Sequence, residues 1–145
     1  MTAGESAAER AFYEGYVAGH SPYHRSPRGW RAAVLARLPY RSYDEWRFWR
    51  RWVPRGCRLL DLGAARGREI FRERARLAVG ADLAAGALRE CVAHYDGAAL
   101  ADLRRLPFAD GAFDCVVSSH VLGHVPLASK ERVFDEIDRV LAAGG

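Results

Sequence analysis

The spacing of apolar residues changes character near residue 56. Upstream the apolar positions fall at helical intervals between clear start and stop signals. Ser6-Ala7-Ala8-Glu9 is a capping-box pattern that opens a helix running towards Gly15 or Gly19. The stretch Gly19-His20-Ser21-Pro22-Tyr23-His24-Arg25-Ser26-Pro27 breaks it, because two prolines and a glycine cannot continue a helix. Ser26-Pro27 starts a second helix that ends at Pro39, and Ser42-Tyr43-Asp44-Glu45 opens a third with Trp46, Trp49 and Val53 on one face. Pro54-Arg55-Gly56 stops that one. Beyond it short apolar runs alternate with helical periods: strands at 58–62 and 77–81, a weak strand at 98–101 and a buried strand ending at Ser118, with helices at 66–75, 84–94 and 129–141. In the last helix Val133, Phe134, Ile137, Val140 and Leu141 are expected to face inward, and Glu131, Asp135, Asp138 and Arg139 outward. Alternation of this kind predicts a parallel sheet with crossover helices over residues 56–145, preceded by an N-terminal helical extension over residues 1–55.

The stretch Leu59-Leu60-Asp61-Leu62-Gly63-Ala64-Ala65-Arg66-Gly67-Arg68-Glu69-Ile70 carries the first chemical signal. It reads as strand, tight loop and helix start, and glycines at 63 and 67 allow close approach to the backbone. Read alone, it also suits a plain turn between a strand and a helix. Asp82 closes the next apolar run, where a carboxylate is placed to accept from both hydroxyls of a ribose lying across the strand ends. A dinucleotide fingerprint needs Gly or Ala at position 68, where Arg68 stands, so a nicotinamide-dependent oxidoreductase is disfavoured.

Composition narrows the field modestly. The 145 residues suit one domain with a real core, and no uninterrupted apolar run is long enough for a membrane span. The N-terminal residues lack the basic and apolar segments of a secretory signal, so a soluble cytoplasmic protein with no membrane partner is expected. Cys57, Cys91 and Cys115 are odd in number and lack C-x-x-C spacing, which argues against zinc or a disulfide framework; no metal is expected. The net charge of +4 comes from 22 basic against 18 acidic residues, scattered rather than blocked, so nucleic acid is a weaker expectation than a small-molecule partner.

Four ordered motifs then resemble one family. Asp61-Leu62-Gly63-Ala64-Ala65-Arg66-Gly67 resembles the D-x-G-x-G-x-G loop of the class I S-adenosylmethionine-dependent methyltransferases. Asp102 to Val116 matches each fixed position of that family's D-x-x-x-L-P-F-x-D-x-x-F-D-x-V stretch. Leu122-Gly123-His124 resembles the L-x-H pattern past the fourth strand, and Arg139-Val140-Leu141-Ala142-Ala143-Gly144-Gly145 resembles R-V-L-x-P-G-G. The resemblance implies a Rossmann-like sheet with the C-terminal strands missing, and S-adenosyl-L-methionine as cofactor. It implies that Asp61 anchors the glycine loop or meets the cofactor's amino group, that Gly63 and Gly67 leave room for the methionyl part, and that Asp82 accepts from the ribose. Asp102 would accept from the adenine amino group, beside the Leu103 backbone N–H, and Ala64, Ala65, Leu83 and Ser118 complete the implied cofactor set. His120 and His124, past the fourth strand, are the candidate bases. An extension such as residues 1–55 often covers the cofactor in these enzymes. Tyr23, His24 and Arg25 are candidates to face the pocket, an exposed polar loop being favoured; for Trp46 and Trp49, packing on the sheet is favoured over stacking on an acceptor.

Ala65 departs from the pattern, standing where the second loop glycine is usual. Members of that family usually continue through strands five to seven in the order 3-2-1-4-5-7-6, so the fourth strand is expected to present an open edge; three resolutions stand open, a shortened chain or fragment, a second copy that covers the edge by self-association, or cover by the N-terminal helices. The leading expectation is therefore a methyltransferase acting on a small-molecule acceptor. The alternative is a catalytically degenerate S-adenosylmethionine-binding or interaction module.

Overall fold

The computed structural model describes residues 45–145, together with Ala11 and Glu14 of an earlier helix. The first two expected helices, the Ser42 cap, and Tyr23, His24 and Arg25 otherwise lie outside the described residues. Eight elements follow in order: α1 (Glu45–Trp52), β1 (Arg58–Leu62), α2 (Glu69–Arg74), β2 (Leu77–Asp82), α3 (Ala85–Cys91), β3 (Gly97–Leu100), β4 (Cys115–Ser118) and α4 (Leu127–Val140).

The four strands form one parallel sheet in the order β3-β2-β1-β4. β1 lies centrally, with Leu62 opposite Ala81 of β2 and Ser118 of β4. Alternate residues of β1 therefore serve two separate cores. Leu59 joins Val53, Ile70, Phe71, Ala78, Leu88, Cys91, Tyr95 and Val117 on the face covered by α1, α2 and α3. Leu60 and Leu62 join Ala81, Ala101, Leu103, Leu106, Phe113, Val133 and Val140 on the face covered by α4 and the chain leading into β4. α1 docks through Trp49, whose ring meets Phe71 edge-on at 5.0 Å, and through Val53, which is 1% exposed; Trp46 is 43% exposed.

Two ionic clasps fix the arrangement. At the amino ends of the strands Asp114 accepts from the Arg58 backbone N–H at 2.8 Å and from its Nε and Nη2 at 3.0 and 2.5 Å. The Arg58 side chain holds the Asp114 carboxyl well down, at about 2. The second clasp corrects an expectation. Arg139, expected to face solvent, spans four groups: Nη1 donates to the Phe108 carbonyl (2.7 Å) and to Asp110 (2.8 Å), and Nη2 to the Leu106 carbonyl (3.0 Å) and Glu136 (2.8 Å). Glu136 also accepts from the Leu106 N–H at 2.7 Å, and Arg139 holds its carboxyl at about 2. The L-P-F-x-D stretch is thereby tied to the R-V-L stretch. A second correction concerns Phe134, expected inside but 53% exposed, because it sits one residue and about 100° around the helix from the buried Val133.

The helix expected from residue 66 begins at Glu69, since Ala65 and Gly67 have positive φ values of 47° and 78° that no helix accommodates. β3 begins and ends one residue earlier than expected, at Gly97 and Leu100. No helix among the described residues is long and apolar enough to cross a membrane.

Candidate functional site

Parallel pairing brings the carboxyl ends of β1, β2, β3 and β4 to one edge of the sheet. Gly63, Ala64 and Ala65 leave β1 there, Asp82 ends β2 and Leu83 follows it, Asp102 and Leu103 follow β3, and Ser118 ends β4 with His120 two residues beyond. Of the sequence-derived set, Asp82 meets the glycine loop directly. Its Oδ2 accepts from the Ala65 N–H at 3.0 Å, and its Oδ1 from the Ala84 N–H at 2.9 Å. The loop is further held by Gly63 N–H and Ala64 N–H donating to the Ala81 carbonyl at 2.8 and 3.2 Å. A carboxylate has about four acceptor positions, so Asp82 retains two after organising the loop.

Asp102 is engaged differently. It accepts from the Arg104 backbone N–H at 2.9 Å and from the Arg104 Nε and Nη2 at 2.8 and 2.6 Å. Burial opposes ionisation, but the Arg104 contacts outweigh it and lower the Asp102 pKa. Its acceptor capacity is thus largely taken by its own chain. Leu103 is 9% exposed and packs into the α4-side core.

Asp61 is fully buried on the opposite face of the sheet from Leu62. Its Oδ2 accepts from the Tyr95 hydroxyl at 2.7 Å and from Arg68 Nη1 at 3.3 Å, while the Tyr95 oxygen accepts from the Arg68 backbone N–H at 2.9 Å. Burial pushes the Asp61 carboxyl up to about 6, with Arg68 and Tyr95 pulling the other way. Sequence reasoning missed this triad. A signal existed in Leu88, Cys91 and Tyr95, which continue the buried stripe of α3 and bring a polar tip that needs a partner when buried.

The glycines serve internal packing as well as backbone geometry. A Cβ at Gly63, where φ is +68°, would lie 2.7 Å from Val121 Cβ, and one at Gly67, where φ is +78°, would lie 3.2 Å from His94 Cβ. Ala65 adopts a left-handed backbone at φ 47°, so the missing glycine is felt as strain of about 1 kcal/mol. His120 is exposed, with a left-handed φ of 61°, and His124 is exposed one turn further on, its N–H donating to the Val121 carbonyl at 2.9 Å.

Among the described residues, two buried side-chain oxygens, Asp61 Oδ1 and Ser118 Oγ, lack a hydrogen-bond partner. Orphaned acceptors of this kind are costly to bury. Asp61 is the penultimate residue of β1 and Ser118 the last of β4; Asp61 shares its face of the sheet with Val117, whereas Ser118 shares the opposite face with Leu62. The two open positions on Asp82, beside the glycine loop, fit the hydroxyls of a nucleoside-bearing cofactor.

The comparisons agree with this geometry. The methyltransferase domain family matches residues 60–145. An arsenite methyltransferase of Aquipseudomonas alcaligenes is 34% identical over a match covering 62% of this chain and 31% of that protein. A protein of Encephalitozoon cuniculi named as a methyltransferase is also 34% identical, over 68% of this chain and 47% of its own length. This chain therefore spans about half the length of these relatives or less. Among solved structures, the DhpI–SAM–HEP complex superposes with a TM-score of 0.69 at 22% identity, covering 100% of this chain and 64% of that one. Sheet order, motif order and family match converge: the chain belongs to the methyltransferase domain family, with the Rossmann-like fold of the class I S-adenosylmethionine-dependent methyltransferases.

Proposed function

We propose that this chain binds S-adenosyl-L-methionine along the carboxyl edge of its sheet and takes part, in the cytoplasm, in methyl transfer to a small-molecule acceptor. The observation that carries the reading is the Asp82 carboxylate, which holds the glycine loop through Ala65 and keeps two acceptor positions for a ribose diol. The solved DhpI complex has SAM in its name, which supports the same cofactor class here. Gly63, Ala64, Ala65, Gly67 and Leu83 border the cofactor and Ser118 Oγ takes one of its donors at the end of β4, while the fully buried Asp61 acts from within, by holding Arg68 and Tyr95.

The cofactor supplies an electrophilic methyl group on a sulfonium whose leaving group is a neutral thioether. The chain's own task is to position donor and acceptor in line, an effect worth roughly 7 to 11 kcal/mol in well-oriented systems. His120 and His124 border the edge where an acceptor enters, and either takes a proton only where the acceptor must lose one.

A second reading, a cofactor-binding module without turnover, is favoured by Asp102. Its pairing with Arg104 leaves little capacity for an adenine amino group. Titration of the 145-residue chain with S-adenosylhomocysteine tests both readings, since any native-state ligand raises the thermal midpoint. A rise with that ligand and none with NAD supports the cofactor assignment, and no rise at millimolar ligand overturns it. Release of S-adenosylhomocysteine on addition of candidate acceptors then separates the enzyme from the silent module.

A further inference from the structure

A recess of about 310 Å³ lies between the turn that follows β3 and the first turns of α4, lined by Asp102, Arg104, Arg105, Ala128, Ser129 and Arg132. The turn is rigid: Arg105 N–H donates to the Asp102 carbonyl at 2.9 Å, and Leu103 and Leu106 are buried at 9% and 3% exposure on either side of the arginines. Anchoring the two leucines inward leaves Arg104 and Arg105 to face the recess. On α4, Ala128, Ser129 and Arg132 share one side while Val133 turns into the core.

The charges are unequally used. Arg104 is committed to Asp102. Arg132 spends only its Nε, which donates to the Arg104 carbonyl at 3.1 Å, and it lies close enough to Asp102 to help lower that carboxyl's pKa. Glu136, one turn further along α4, is hydrogen-bonded to Arg139 and the Leu106 N–H and also feels the Arg132 charge, but it does not line the recess. Three guanidinium groups thus face one carboxylate, leaving the walls with two positive charges in excess. Ser129 adds a hydroxyl. The amino end of the 14-residue α4, at Pro126 without a side-chain cap, adds the positive end of a helix dipole.

We propose that this recess is a binding site for a phosphate-class oxyanion, gripped by Arg105 and Arg132. Guanidinium forks match tetrahedral oxyanions in geometry and charge, and the volume suits a phosphate group or a small phosphomonoester. The site involves neither the glycine loop nor Asp82; it shares Asp102 with the implied cofactor set, and its test is therefore made without cofactor.

The test is calorimetric titration of the full chain, free of cofactor and at fixed ionic strength, with inorganic phosphate. Saturable binding is expected. The double variant Arg105→Ala/Arg132→Ala should weaken it at least about 10-fold, the effect of one lost charge-assisted hydrogen bond. Arg55→Ala, an exposed and remote arginine of matched charge, should leave it unchanged. Circular dichroism midpoints confirm that each variant is folded. Glycerol 3-phosphate identifies the source: binding that competes with phosphate assigns the anion to a larger esterified molecule, and binding of inorganic phosphate alone assigns it to the free ion. Absence of saturation at millimolar phosphate, or equal weakening by Arg55→Ala, overturns the proposal.

Discussion

Replacing Tyr95 by Phe isolates the buried triad, because it removes one hydroxyl and keeps the ring against Phe71. The lost group donates to Asp61 at 2.7 Å and accepts from the Arg68 N–H at 2.9 Å. A hydrogen bond to a buried carboxylate contributes roughly 1.5 to 3 kcal/mol. Asp61 has an escape, however: with its carboxyl already up at about 6, taking a proton at pH 7.5 costs only about 2 kcal/mol. That escape caps its share of the loss, and the orphaned Arg68 amide adds roughly 1 kcal/mol. Tyr95→Phe should therefore destabilise the fold by about 2 to 3 kcal/mol at pH 7.5. For a chain of this size that is a fall of roughly 6 to 12 °C in thermal midpoint. At pH 5 the carboxyl is largely protonated already, and only about 1 kcal/mol should be lost. Thermal melts of both proteins at the two pH values decide it. Equal losses at pH 5 and 7.5 would refute an ionised Asp61 at the centre of the triad.

Four further outcomes are expected. The raised Asp61 pKa means the folded state holds a proton between about pH 4 and 6 that the unfolded chain has released; this contribution is present below pH 4 and lost as pH rises through 6, and Asp61→Asn should flatten that slope in pH-dependent denaturant melts. The depressed carboxyl of Glu136 acts in the opposite sense, its contribution being present above the ordinary carboxylate range and lost as pH falls towards 2, so acid unfolding of Arg139→Ala, which removes the arginine that depresses it, should be shallower than that of the parent. Gly63→Ala combines a left-handed backbone with a 2.7 Å clash against Val121 and should cost about 2 to 4 kcal/mol by urea denaturation, whereas Ala65→Gly should relieve strain and stay within about 1 kcal/mol of the parent or above it. Asp82→Asn should weaken S-adenosylhomocysteine binding about 10- to 100-fold in calorimetry, and unchanged affinity would remove Asp82 from the cofactor site.

The order and identity of the elements from Glu45 onward were legible because their apolar periods are clean and each is bounded by loop residues. The strand at 58–62 was readable to the residue, since Leu59, Leu60 and Leu62 are all needed in cores and Arg58 and Gly63 flank them. The start of α2 was not. Ala65 stands where a glycine is usual, which raised the question of a left-handed backbone there without deciding it, and that turn, with Gly67, delays the helix to Glu69. Side-chain pairings across long sequence separations were equally hidden. Arg139 reads as a surface residue because its partners at Leu106, Phe108 and Asp110 lie about thirty positions earlier. For the site, motif spacing located the edge of the sheet, but the use of each carboxylate depended on neighbours. Arg104 follows Asp102 by two positions, yet nothing in its type says that it will fold back rather than point to solvent.

The Arg58–Asp114 clasp sits at the far end of the strands from the proposed cofactor, and its influence is on phase. In a strand, displacement by one residue exchanges the two sides. If β1 slid by that amount, Asp61 would face the α4-side core and Leu62 would occupy the place of the only buried acid among the described residues; if β4 slid, Val117 and Ser118 would exchange sides. By holding Arg58 and Asp114 together, this remote ion pair determines which side chains arrive at the opposite edge, so its removal should disturb ligand recognition without touching a single residue that meets the ligand.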